Sequence, residues 1–150
     1  MTSQEKKQYL LKYQYLTQEV DRLSDERAQV LARAQKITPT LSDMPKSQSG
    51  ANRLELAVED IVENTDKLAE KIREMLHAKE EIEQVIDSLE DDTLREIMKY
   101  RYINMMTWNK VCYTLYHDKD DFIDKFDSYL RKLYRKHGNA LESLSLNVTM

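Results

Sequence analysis

A chain of 150 residues with 33% charged side chains, two glycines and two prolines has the sparse punctuation of long helices rather than of a sheet protein. Its formal net charge of −4 excludes a globally basic nucleic-acid binder, so any grip on a polyanion has to be local. No apolar run approaches a bilayer span, the first residues lack the apolar region of a secretory leader, and the lone cysteine, Cys112, forms no internal disulfide. The expected setting is a reducing cytoplasm, with no membrane partner.

The first segment repeats every seven residues. Tyr9, Leu16, Leu23, Val30 and Ile37 form one register, and Tyr13, Val20, Arg27 and Ala34 form a second. A spacing of seven with an intermediate apolar position keeps one stripe facing a partner helix. This predicts a helix over residues 4–36, about 50 Å long at 1.5 Å per residue. Residues 38–53 (TPTLSDMPKSQSGANR) hold both prolines, Gly50 and several serines, and read as a linker in which no helix or strand persists. Ser49 or Asn52 is suited to cap the helix that follows.

The second segment has the clearest period. Leu54, Ile61, Leu68, Met75, Ile82 and Leu89 follow one another at sevens, with Val58, Thr65, Ile72, Lys79 and Ile86 as the companion register. Each buried aliphatic side chain is worth roughly 1.5–3 kcal/mol before entropy is counted, so six such layers hold a helix pair that a bare helix could not. Residues 51–90 carry twelve acids against five bases, ordinarily a solvated outer face and otherwise an acidic surface for a protein partner. An antiparallel hairpin within one chain is the simplest pairing. Pairing between chains is equally permitted by a linker of this length, making Leu16, Leu23, Val30, Leu54, Ile61, Leu68, Met75, Ile82 and Leu89 candidates for a homodimer or partner interface.

Beyond Leu89 the heptad stops. Asp91 and Asp92 before Thr93 suit a helix start, and that helix carries Leu94, Ile97, Met98, Arg101 and Tyr102 to an end near Asn104. Thr107 is placed to cap a second short helix with Trp108, Val111, Cys112 and Leu115 on its inner face. A short helix, a tight turn and another short helix is the entry to a helix-turn-helix.

The string LREIMKYRYINMMTWNKVCYTLY, residues 94–116, resembles the fourth region of bacterial sigma factors: an apolar helix, an Arg-Tyr pair, a turn, then Trp and an apolar helix. The whole layout, ending in YRKHGNAL at residues 134–141, resembles the small sigma-like late-transcription regulators of Gram-positive phages, of the RinA and ArpU type. The resemblance implies an all-α fold, with a coiled-coil-like helical hairpin over residues 1–90 and a helix-turn-helix over 91–150. It also implies DNA binding, with Tyr102, Trp108, Val111 and Leu115 as the core of the motif, in the cytoplasm of a host cell. The chain departs from the pattern at residues 117–127 (HDKDDFIDKFD), where five aspartates against two lysines stand where a recognition helix would start.

Residues 128–137 (SYLRKLYRKH) restore the balance, with four bases and no acid. On a helix Arg131 and Arg135 form one row and Lys132 and Lys136 an adjacent one, with Leu130, Leu133 and Tyr134 inward. Ser128 and Tyr129 fall near the amino end, where recognition helices meet base edges, and His137 at the far end. Ser128, Tyr129, Arg131, Lys132, Arg135, Lys136 and His137 are therefore the candidate DNA contacts, after a turn lengthened over 117–127. Three scattered histidines give no metal-ligand spacing. The aspartates near residue 120 lack the glycine turn and closing glutamate of a calcium loop, and Cys112 reads as core. No cofactor, metal or catalytic set is expected, and the chain does not read as an enzyme. Two functions follow: a DNA-binding regulator, and an interaction protein that binds or inhibits a host protein, such as RNA polymerase, through its acidic helix.

Overall fold

The computed structural model describes the backbone of residues 1–43 and 48–144 and the side chains of residues 1–37 and 52–144. Among the described residues every regular element is helical, so the chain is all-α, and no helix is long and apolar enough to cross a membrane.

Helix α1 (Ser3–Leu10) starts on a reciprocal cap. Thr2 Oγ1 accepts the Glu5 N–H at 3.2 Å and Glu5 Oε2 accepts the Thr2 N–H at 3.0 Å, satisfying two amides that a helix start leaves open. At Leu11 the path stays helical into α2 (Lys12–Asp43): the Leu11 N–H donates to Lys7 O, and its carbonyl accepts from Tyr15. Helix α3 (Gln48–Asp87) follows. The linker expected over 38–53 is thus too wide. Pro39 falls inside α2, and Ser49 and Asn52 fall inside α3 rather than capping it. One lost amide bond at a proline, about 3 kcal/mol, does not by itself dictate where a long helix stops. The Ser49 side chain lies outside the described residues.

The chain divides into two compact units, Leu16–Met75 and Met1–Tyr15 with Leu76–Met150. In the first, α2 and α3 form an antiparallel hairpin within the one chain. Arg27 Nε donates to Thr65 Oγ1 at 3.0 Å, Leu23 shares a groove with Lys67 and Lys71, and Val30 shares another with Ala57 and Asp60. Positions rise along α2 as they fall along α3. Arg27 and Thr65, polar members of the two companion registers, meet each other. Leu23 and Val30 are buried in this packing, while Leu16, Leu54, Ile61, Leu68 and Met75 are half-buried.

The second unit does not start at Asp91 as the change of pattern suggests. Ile82, Ile86 and Leu89 from α3 and Leu10 from α1 bury together with Met98, Tyr102, Ala140, Leu141 and Leu144. The C-terminal helices therefore take the chain's first fifteen residues and the end of α3 into their own core. Ile82 and Leu89, expected at a dimer or partner interface, are consumed in this packing and have no surface left to offer a second chain.

Asp91 caps α4 (Asp92–Met98), its carboxylate accepting the amides of Thr93 and Leu94 at 2.8 and 3.1 Å. Residues Lys99–Ile103 continue as one wide π turn, closed by the Asn104 N–H on Lys99 O at 2.9 Å, five residues back. Met105 then takes a left-handed backbone (φ 56°) before Thr107 caps α5 (Trp108–Tyr116) by accepting the Lys110 N–H at 3.2 Å. A hydrogen-bonded turn leads to α6 (Phe126–Ser143). Helices α1, α4 and α5 all pack on α6. A second cluster (Ile97, Val111, Cys112, Tyr116, Phe122, Leu133) fills the space between α4, α5 and α6, with Trp108 and Leu115 half-buried against it.

Candidate nucleic-acid interface

Helix α6 presents two faces because its apolar positions recur at helical spacing. Leu133, Ala140 and Leu141 are fully buried, whereas Ser128, Arg131, Lys132 and Arg135 are exposed. The three exposed cations sit within five residues, on adjacent rows. Lys132 Nζ lies 5.5 Å from the centre of the Tyr116 ring, a cation–π contact that steadies the side chain without neutralising it. Arg131 Nε reaches back to Asp127 O at 3.4 Å. Lys136 is half-buried.

Two proposed contacts do not lie free on this face. His137 is 6% exposed; its Nε2 is hydrogen-bonded to the Tyr102 hydroxyl at 2.7 Å, and the Trp108 ring meets it edge-on at 4.6 Å. Burial, with Lys7 and Arg101 adding positive charge, pushes its pKa down to about 4, so this imidazole is neutral at pH 7 and contributes no charge toward phosphate. Tyr129 is half-buried, its ring stacked on Tyr116 and its hydroxyl donating to Asp121 at 2.5 Å. It therefore serves the turn rather than the surface. In the opposite direction Tyr134, expected inward, is 46% exposed, because its ring leans on Trp108 at the rim rather than in the core.

The acidic stretch keeps an ordered path. Lys119, Phe122 and Lys125 donate their amides to Tyr116, Lys119 and Asp121, and Phe122 inserts between α5 and α6. Asp121 is held below the usual carboxylate range by the Tyr129 hydroxyl and by Lys125. Asp118, Asp120 and Asp124 are exposed, and Ile123 stands out among them at 89% exposure. The turn thus occupies residues 117–125, and the helix starts two residues before Ser128.

The motif core splits between the two apolar clusters. Tyr102 belongs to the one around Ile86 and Leu141, while Val111, Trp108 and Leu115 belong to the one around Ile97 and Leu133. The π turn makes this division possible, since its extra residue turns Tyr102 toward α3 while Arg101 stays with the second cluster's Trp108, 4.9 Å from the ring centre.

Sequence reasoning missed a cleft of about 550 Å³ beside the basic row of α6, where Lys7, Arg101, Trp108, Tyr134, His137 and Gly138 converge. Lys7 and Arg101 lie far apart along the chain and carry no shared periodic signal. Only the packing of α1 on α6 brings them together.

The molecule is an all-α protein with an antiparallel helical hairpin and a helical cluster that bears an exposed basic face. The chain belongs to the family described as a protein of unknown function, DUF1492, which matches residues 36–134. That match spans α3 through the first half of α6, including Arg131 and Lys132 but not Arg135. No curated protein and no solved structure was found to match the chain.

Proposed function

We propose that this protein is a phage or prophage transcription regulator that binds double-stranded DNA through the outer face of α6, with the helical hairpin serving dimerisation or partner docking. The observation that carries the reading is the exposure of Arg131, Lys132 and Arg135 together, in a ten-residue stretch without an acid, on a helix braced from behind by α4 and α5. A rigid helix with a cationic outer face suits groove binding: Lys neutralises phosphate as a point charge, and Arg adds a two-pronged grip on guanine. The order of α4, turn, α5, turn and α6 supports the likeness to sigma region four on which the sequence reading rests. The test is a mobility-shift titration on duplex DNA at low salt. Replacing Arg131 and Arg135 by alanine is expected to weaken binding by about 2 kcal/mol or more, and a double variant that shifts DNA as well as the parent rules this face out.

A second reading has its own observation. Leu56, Val58 and Val62 are exposed on α3 among Glu55, Glu59, Asp60 and Glu63, an acidic surface with an apolar flank suited to a protein partner. Co-elution with host RNA polymerase, lost on replacing Val58 and Val62 by aspartate, together with no DNA binding at low salt, would favour it.

A further inference from the structure

Beside the basic row of α6 lies a cleft with a chemistry of its own, Tyr134 following Arg131 and Gly138 following Arg135 by three residues each. The cleft there holds about 550 Å³, within the size range of small-molecule sites, and four rings, Trp108, Tyr134, Tyr102 and His137, stand in its walls. Two cations enter it from different elements, Lys7 from α1 and Arg101 from the π turn, against one carboxylate, Glu142. This is a local excess of positive charge on a chain of net charge −4. Arg101 is fixed in place: one Nη donates to Met106 O at 2.9 Å and the guanidinium lies over Trp108. A guanidinium has five N–H donors, so one bond to the chain leaves others for an anion. The floor is open as well. A Cβ built on Gly138 meets nothing within 4 Å, so no packing requirement explains the bare backbone at this point.

We propose that this cleft binds a planar organic anion, an aromatic ring carrying a phosphate or carboxylate, with the ring against Trp108 and Tyr134 and the anionic group between Lys7 and Arg101. The proposal does not depend on the DNA reading, because none of the cleft residues is among the exposed cations of α6. An anion there would offset the two cations that add to the burial of His137 in keeping it neutral, and so favours a rise in the pKa of that histidine. Tyr102, Lys7, Arg101 and Glu142 are the groups that face it across the cleft.

The experiment is an NMR titration of the full chain with adenosine 5′-monophosphate, benzoate, adenosine and inorganic phosphate. The single tryptophan makes the Trp108 indole N–H an unambiguous probe, and the His137 ring gives the linked one. Saturable shifts with a ring-bearing anion, stronger than with adenosine or inorganic phosphate, and an upward move of the His137 titration are expected. Gly138→Leu adds a side chain whose Cβ meets nothing within 4 Å and favours the helix, so it should obstruct the cleft and abolish the shifts while the chain still folds. Lys7→Gln should weaken binding about tenfold. Overturning results are the absence of saturable shifts with both anions, adenosine binding as well as its monophosphate, or shifts that persist in Gly138→Leu.

Discussion

Between Tyr102 and Trp108 the imidazole of His137 stays neutral down to about pH 4, whereas in the unfolded chain it takes a proton near 6.5. Between those values the unfolded chain binds more protons than the folded one. The stability that depends on the neutral ring is therefore complete above about pH 6.5 and is lost as pH falls toward 4. At 1.36 kcal/mol per pH unit the effect is at most about 3 kcal/mol. Chemical unfolding at pH 7 and pH 4.5 should show a smaller loss in His137→Gln than in the parent, by about 2 kcal/mol; equal losses would mean that the histidine titrates normally. Tyr102→Phe removes the hydroxyl paired with His137 Nε2 and should cost about 1–3 kcal/mol by the same measurement, since it strands a buried polar nitrogen. None of this was legible in SYLRKLYRKH, where His137 reads as one more basic residue at a helix end. Its burial depends on Tyr102, 35 residues earlier, and on a π turn that has no sequence signature.

Helix starts were the most legible feature, because a cap is a contract between residues two or three apart. Thr107 was expected to cap α5 and does so; Asp91 and Asp92 before Thr93 were expected to open α4, and Asp91 caps it. Thr107→Ala and Asp91→Ala should each lower unfolding stability by about 1 kcal/mol, with Thr107→Ser close to the parent. No loss in either variant would show that packing on α6 fixes both helices without their caps. The heptads were legible for a similar reason: a period of seven states which stripe packs, and this holds from Leu54 to Leu89, while Val58 and Thr65 of the companion register stay exposed. The period does not state against what. The stripe of α3 is half-buried along α2 up to Met75 and fully buried from Ile82 onward, where it meets α4 and α6. The stop at 38–53 was read too widely because prolines and serines report local preference, whereas the helical backbone runs to Asp43 and resumes by Gln48.

Across the whole chain, charge is segregated rather than balanced. Residues 51–90 are strongly acidic, 117–127 hold five aspartates and two lysines, and 128–137 hold four bases and no acid. Of these three stretches only the last carries a charge that favours a polyanion, and of its cations Arg131, Lys132 and Arg135 are exposed. Each phosphate neutralised releases counterions and contributes about −0.9 to the slope of log affinity against log salt, so the slope on random duplex should be about −3. A globally basic protein with many more contacts would show a far steeper one. The aspartates act in the opposite sense, through longer-range repulsion that salt screens over about 10 Å at 0.1 M. Replacing the exposed Asp118, Asp120 and Asp124 by asparagine should therefore tighten binding most at low salt and progressively less as salt rises. Affinity that ignores salt in both proteins would remove the electrostatic basis of the DNA reading. A gain from the three asparagines that is uniform at every salt concentration would instead place those aspartates in direct contact with the duplex, and would move the recognition surface from the middle of α6 to the turn that precedes it.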